Sequence, residues 1–176
     1  MRILYVLTIS LISQMVVAQT VTDKSTWWVG GTSGFSTSSS SNASSSIITL
    51  ASTGRYFIKD NLFVGSRLSW QRQEDDGNTV SSLGFGPQAG ITFLQGDAIS
   101  VPYFGVGIQY LNNRQNDGFN FLDRNGYEIS FFGGLNIMLK ESLALTVEAG
   151  YNFQNFDSGV DFNVFALALG ITGVLN

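Results

Sequence analysis

The chain has 176 residues, 9 Lys and Arg against 13 Asp and Glu, a formal net charge of −4, no His and no Cys. Ser-His-Asp triads, thiol nucleophiles, most zinc sites and disulfide staples are therefore excluded, and the scattered basic residues leave no footprint for nucleic acid. Charged residues are only 12% of the chain, beside 14 Phe, 6 Tyr, 3 Trp and 20 Gly, a balance that suits a surface facing lipid better than one facing water.

Residues 1–18, "MRILYVLTISLISQMVVA", place Arg2 before an apolar run from Ile3 to Ile12 and end in Val16 to Ala18 ahead of Gln19. That is the build of a cleavable secretory signal peptide, cut after Ala18. An uncleaved anchor is the alternative, but Ser10, Ser13 and Gln14 interrupt a core already short for a span. Losing the leader removes Arg2 and makes the chain one unit more negative. Residues 19–24 form a short lead-in, and 25–176 read as one barrel domain with no helical period and no linker.

Eight long strands with period-two alternation follow in order: 25–36, 47–59, 62–73, 80–94, 99–112, 126–139, 142–154 and 161–174. Tight connections fall at Lys59-Asp60-Asn61, Gln95 to Ala98 and Lys140-Glu141-Ser142; longer polar ones follow Ser36, Glu74, Asn112 and Asn155. Short and long connections take turns, which predicts an all-β, up-and-down antiparallel barrel with its turns at one rim and its loops at the other. An even strand count puts both termini on the turn side. The strands reach the roughly 9 to 11 residues a tilted strand needs to cross a bilayer.

Parity assigns the faces. On 47–59, Ile48, Leu50, Tyr56 and Ile58 oppose Thr49, Thr53, Arg55 and Lys59; on 62–73, Leu62, Val64, Leu68 and Trp70 oppose Phe63, Gly65, Arg67, Ser69 and Gln71. On 126–139 the apolar set opposes Glu128, Ser130 and Asn136, with apolar exceptions such as Phe132, and on 142–154 it opposes Thr146, Glu148 and Gln154. In the last strand Phe165, Leu167, Leu169 and Ile171 oppose Val164, Ala166, Ala168 and Gly170, a contrast of size more than polarity. A transmembrane barrel further needs two aromatic girdles on the apolar parity. Trp70, Tyr110, Tyr127 and Tyr151 lie near the loop ends, and Trp27, Tyr56 and Phe93 near the turn ends.

Little here suggests catalysis. The glycines of Gly84 to Gly90 and Gly105 to Gly107 lie inside strands with no helix following, so they spare lumen room or permit coiling rather than bind a cofactor. Glu74, Asp75 and Asp76 form an acidic loop for which a divalent cation is the alternative, but without calcium-loop spacing it reads as solvated charge. No catalytic residue, cofactor or metal is expected. The inward Arg55, Arg67 and Glu148 lie at similar distances from the turn rim, with Glu128 nearer the other mouth; in so narrow a lumen they should pair as structural plugs.

These features together resemble the small eight-stranded outer-membrane β-barrels of Gram-negative bacteria, of the type of outer membrane protein X and the transmembrane domain of outer membrane protein A. The resemblance implies export to the outer membrane, outer-membrane lipid as surroundings, the barrel assembly machinery as a partner in biogenesis, short periplasmic turns and longer extracellular loops. It maps the family's lumenal network onto Arg55, Arg67, Glu128 and Glu148. It also implies a non-enzymatic structural or adhesion-like role, with loops 36–46 and 112–125 as the places for an unknown surface partner. A passive pore and a secreted soluble barrel holding an apolar ligand are the alternatives; outer-membrane enzymes of this build lean on a catalytic His that is missing. One departure stands out: many such barrels end on an aromatic residue, and this chain ends "GITGVLN".

Overall fold

The computed structural model describes residues 22–39, 44–75, 78–93, 99–116, 121–157 and 161–175. Its strands are β1 Trp27–Ser39, β2 Ser44–Lys59, β3 Leu62–Asp75, β4 Asn78–Thr92, β5 Ser100–Asn116, β6 Phe121–Lys140, β7 Leu143–Phe156 and β8 Asp161–Leu175. Each pairs antiparallel with the next, and β1 also pairs with β8, so the sheet closes into a barrel. The expected leader, 1–18, lies outside the described residues, as do 19–21 of the lead-in.

Turn chemistry sets the lower rim. The β2–β3 connection turns at Asp60 and Asn61, where Asn61 takes φ 63°, a left-handed conformation that Asn tolerates better than most residues. Register shifts between Phe57 and Lys59 and between Met138 and Lys140 mark bulges beside the β2–β3 and β6–β7 turns. Thr22 crosses beneath this rim: its hydroxyl and that of Thr92 both donate to Asn61 Oδ1 at 2.9 Å.

At the upper rim the sequence expectation needs correction. Segments 36–46 and 112–125 are mostly ladder rather than loop, since β1 and β2 stay paired to Ser39↔Ser44 and β5 and β6 to Asn116↔Phe121. Their Ser and Asn content reads as turn signal, but strands above a membrane have water on both faces. There, polar cross-strand pairs continue a register that the wall below has already set. Residues 40–43 and 117–120 lie outside the described residues. Glu74 and Asp75 of the acidic segment belong to β3, and Asp76 lies outside the described residues.

The outward face is apolar and exposed, including Phe35, Phe85, Ile108, Tyr110, Leu169 and Ile171. No Lys, Arg, Asp or Glu occupies the outward parity between Trp27 and Phe35, Leu83 and Phe93, Pro102 and Tyr110, or Leu143 and Phe153. So continuous a band would drive a water-soluble protein to associate, and it matches the height of a hydrocarbon slab. On β8 the face is settled: Phe165, Leu167, Leu169 and Ile171 point out while Val164 and Val174 are buried inside.

Two glycines show how the wall is shaped. A Cβ at Gly86 would run into the Ile108 carbonyl oxygen, beside Pro87 where the β4–β5 ladder is interrupted. A Cβ at Gly84 would instead meet Ser69 Oγ at 2.6 Å and Gln109 Oε1 at 2.8 Å, so that position spares lumen room. Coiling and space-sparing are thus both present in one glycine-rich strand.

Candidate functional site

Three layers fill the lumen. The lowest is apolar: Trp28, Phe57, Phe63, Val101, Tyr103, Phe132 and Val174 form one buried cluster, with Met138 packed against it. Edge-to-face contacts join Trp28 to Phe57 at 5.0 Å and Phe57 to Phe63 at 5.9 Å between ring centroids. The sequence reading treated inward aromatics as exceptions; they are a plug. Just below β7's charge, Thr146 donates to Asn136 Oδ1 at 2.6 Å and meets the Thr172 hydroxyl at 2.7 Å.

The middle layer centres on Glu148. Its Oε2 accepts from Arg55 Nη2 at 2.9 Å and from the Tyr103 hydroxyl at 2.8 Å, while Oε1 accepts from Arg67 Nη1 at 2.7 Å. Arg55 and Glu148 have side chains only 3% and 4% exposed, and Arg67 15%. The Arg55 guanidinium also lies over three rings, 4.4 Å from the Tyr103 centroid, 5.2 Å from Phe63 and 5.4 Å from Phe132. Ring faces carry negative electrostatic potential, so the plug beneath supplies part of the solvation that burial removed. These partners come from β2, β3, β5 and β7, and the contacts brace the barrel across its bore.

The upper layer holds Glu128, which the structure keeps apart from both arginines. Its Oε1 accepts from Gln109 Nε2 at 3.1 Å and its Oε2 from Gln154 Nε2 at 2.7 Å. Ser69 donates to Gln109 Oε1 at 2.8 Å, continuing the chain of neutral groups. The four inward charges therefore divide into a triad and a lone carboxylate. Tyr103, Gln109 and Gln154 escaped the sequence reading; the available signal was their polar groups on the inward parity of strands already assigned.

The six girdle candidates all lie on the outward parity. Trp70, Tyr110 and Tyr127 are the last apolar outward residues before Arg72, Asn112 and Asn125, and Tyr151 sits one outward position deeper, beneath Phe153. At the other end Trp27 and Tyr56 pack at 4.8 Å between centroids.

Above these outward aromatics the wall is uneven. The β5–β6 ladder runs up to Asn116↔Phe121, but the β6–β7 ladder begins only at Gly126↔Phe156, with the Asp157 N–H donating to the Asn125 carbonyl at 3.0 Å just beyond. Among the described residues, Phe121 to Arg124 of β6 have a neighbouring strand on the β5 side alone. Because Asn125 turns its carbonyl toward β7, the backbone groups of Asp123, two residues on, face the same open side.

Among the described residues no group of three or more metal-ligating side chains gathers, and no helix is long and apolar enough to cross a membrane.

The fold has known counterparts. Neisserial surface protein A has a TM-score of 0.72 at 14% identity, covering 84% of this chain and 96% of that one. Ail, the attachment invasion locus protein of Yersinia pestis, scores 0.58 at 14% identity, with coverage of 86% and 99%. The outer membrane enzyme PagL scores 0.55 at 13% identity, with coverage of 81% and 97%. Identities this low make these likenesses of fold. No curated protein sequence matches the chain. The family profile described as "Outer membrane protein beta-barrel domain" matches residues 4–172, and the chain belongs to that family: it is an eight-stranded β-barrel of the bacterial outer membrane.

Proposed function

We propose that this barrel works without catalysis, as a structural and partner-binding protein of the cell surface. The observation that supports this reading is the upper end of β6, whose Phe121 to Arg124 stretch has, among the described residues, no strand on the side away from β5 and so can serve as an edge above the membrane for β-augmentation by another polypeptide. Charge narrows the partner. The segments that form the upper rim contain Arg72, Arg114 and Arg124 against Glu74, Asp75, Asp76, Asp117, Asp123, Asp157 and Asp161. A rim with that balance favours a neutral or basic polypeptide and disfavours a polyanion of the kind represented by the heparin analogue bound to Ail.

Filled by an aromatic cluster below and by charged and amide layers above, the lumen among the described residues speaks against a passive pore and against an apolar ligand in the bore. PagL shows that an enzyme can share this fold, but the absence of His removes the commonest general base from this chain. Adhesion of cells displaying the barrel to protein-coated surfaces tests the reading. Asp123→Pro deletes an N–H facing the open edge while leaving the β5 side paired, and it is expected to abolish binding without altering folding. Unchanged binding in D123P would remove the edge from consideration. Steady, large conductance in planar bilayers would favour the pore instead.

A further inference from the structure

Arg72 on β3, Ser81 on β4 and Arg114 on β5 occupy one row of the wall: Arg72 pairs with Ser81, and Ser81 with Arg114. All three have the parity of the outward face. The two arginine Cα positions are two inter-strand spacings apart, roughly 10 Å, and long side chains from both ends can converge above the serine between them.

The depth of this row decides what it can meet. One outward position below it lie Trp70, Leu83 and Asn112, themselves in register, and below those Leu68, Phe85 and Tyr110. Trp70 and Tyr110 mark the plane where hydrocarbon ends, because indole and phenol rings settle at that boundary. The row therefore stands at headgroup level and faces sideways into the leaflet rather than up into water. Beyond Arg72 the same row continues to Ile48, an exposed apolar residue, which again places the guanidinium at the edge of the apolar band.

We infer that Arg72, Ser81 and Arg114 form a binding site for the phosphate of an outer-leaflet lipid headgroup. Guanidinium forks match phosphate oxygens in charge and geometry, and a serine hydroxyl between them supplies a further donor. The acidic surroundings decide between sources of phosphate. In sequence Arg72 is followed by Glu74, Asp75 and Asp76, a run whose negative charge disfavours a free anion arriving from water. A headgroup already lying in the leaflet reaches the row from the side. Asp123 pairs with Arg114 as the next position of the row, and its formal negative charge opposes an anion there.

The test uses the folded barrel in phosphatidylcholine nanodiscs doped with phosphatidic acid, a phosphomonoester lipid, or with diacylglycerol, its counterpart without phosphate. Native mass spectrometry reads the lipid retained. Phosphatidic acid is expected to be retained about tenfold over diacylglycerol, R72Q/R114Q to abolish that preference, and D123N to increase it. Equal retention of the two lipids, or an unchanged preference in R72Q/R114Q, would overturn the assignment. Displacement by inorganic phosphate at equal concentration would assign the row to a free anion and overturn the lipid source. Heat-dependent gel mobility checks that R72Q/R114Q folds; should it not, R72Q alone and D123N carry the same test.

Discussion

Glu148 and Glu128 lie in the same narrow bore, both buried, and are held in different ways. Glu148 faces a buried guanidinium, a partly buried one and a neutral phenol, so two of its three partners carry the opposite charge. Glu128 faces two carboxamides that have other hydrogen-bonding options. A buried carboxylate is thus accommodated here by compensation in one layer and by ordinary dipoles in the next. The difference lies in what each removal leaves behind: truncating Glu148 strands one buried and one partly buried cation, whereas truncating Glu128 strands only neutral amides.

Equilibrium unfolding in urea, on barrel refolded into lipid vesicles, is the measurement that separates the two layers. Glu148→Ala should show the largest effect, a loss of about 3–5 kcal/mol, because breaking a buried pair leaves uncompensated charge. If the loss is no greater than that for Glu128→Gln, water screens the middle layer and the contrast fails. Arg55→Met should follow at about 2–3 kcal/mol: Glu148 keeps Arg67 and Tyr103, but the cation over three rings is gone. Glu128→Gln should cost about 1 kcal/mol, since one new N–H faces an amide donor that can rotate away. Smallest is Tyr103→Phe, expected at or just under about 1 kcal/mol, which keeps the ring under Arg55 and removes only the hydroxyl. A double-mutant cycle sharpens the comparison further. Arg67 with Glu148 should couple by about 1–3 kcal/mol and Gln109 with Glu128 by less.

Much of this architecture is legible in the residue order, for physical reasons that also explain what is not. Period-two alternation over ten or more residues reports a wall with two solvents, so strand number, facing and the meeting of Arg55 and Arg67 with Glu148 follow from parity and distance to a turn. Parity says less where both faces are alike. Phe63 and Phe132 sit on the lumen side yet read as lapses in a polar pattern, because a sequence does not display that they converge with Tyr103, from three separate strands, under one guanidinium. The ends of β1, β2, β5 and β6 were hidden for the opposite reason. Above the membrane both faces are wet, Ser, Thr and Asn serve equally well on either, and the alternation that signals a strand vanishes while the ladder continues. Distance to the turn already sets Glu128 nearer the other mouth, but the residue order does not display that its partners there are the carboxamides of Gln109 and Gln154.

The seam between β1 and β8 has a consequence in time. Trp27 pairs with Leu175 and Ser39 with Asn163, so the contacts that close the wall join the two most distant described strands of the chain. Every other ladder joins neighbours in sequence and can form as a local hairpin, at small cost in chain entropy; the seam carries the whole cost of bringing the ends together. Until β8 arrives, β1 exposes one full row of backbone donors and acceptors that the membrane interior will not solvate. The order of events is therefore built into the connectivity: hairpins first, closure last, and insertion complete only when the final strand has found the first.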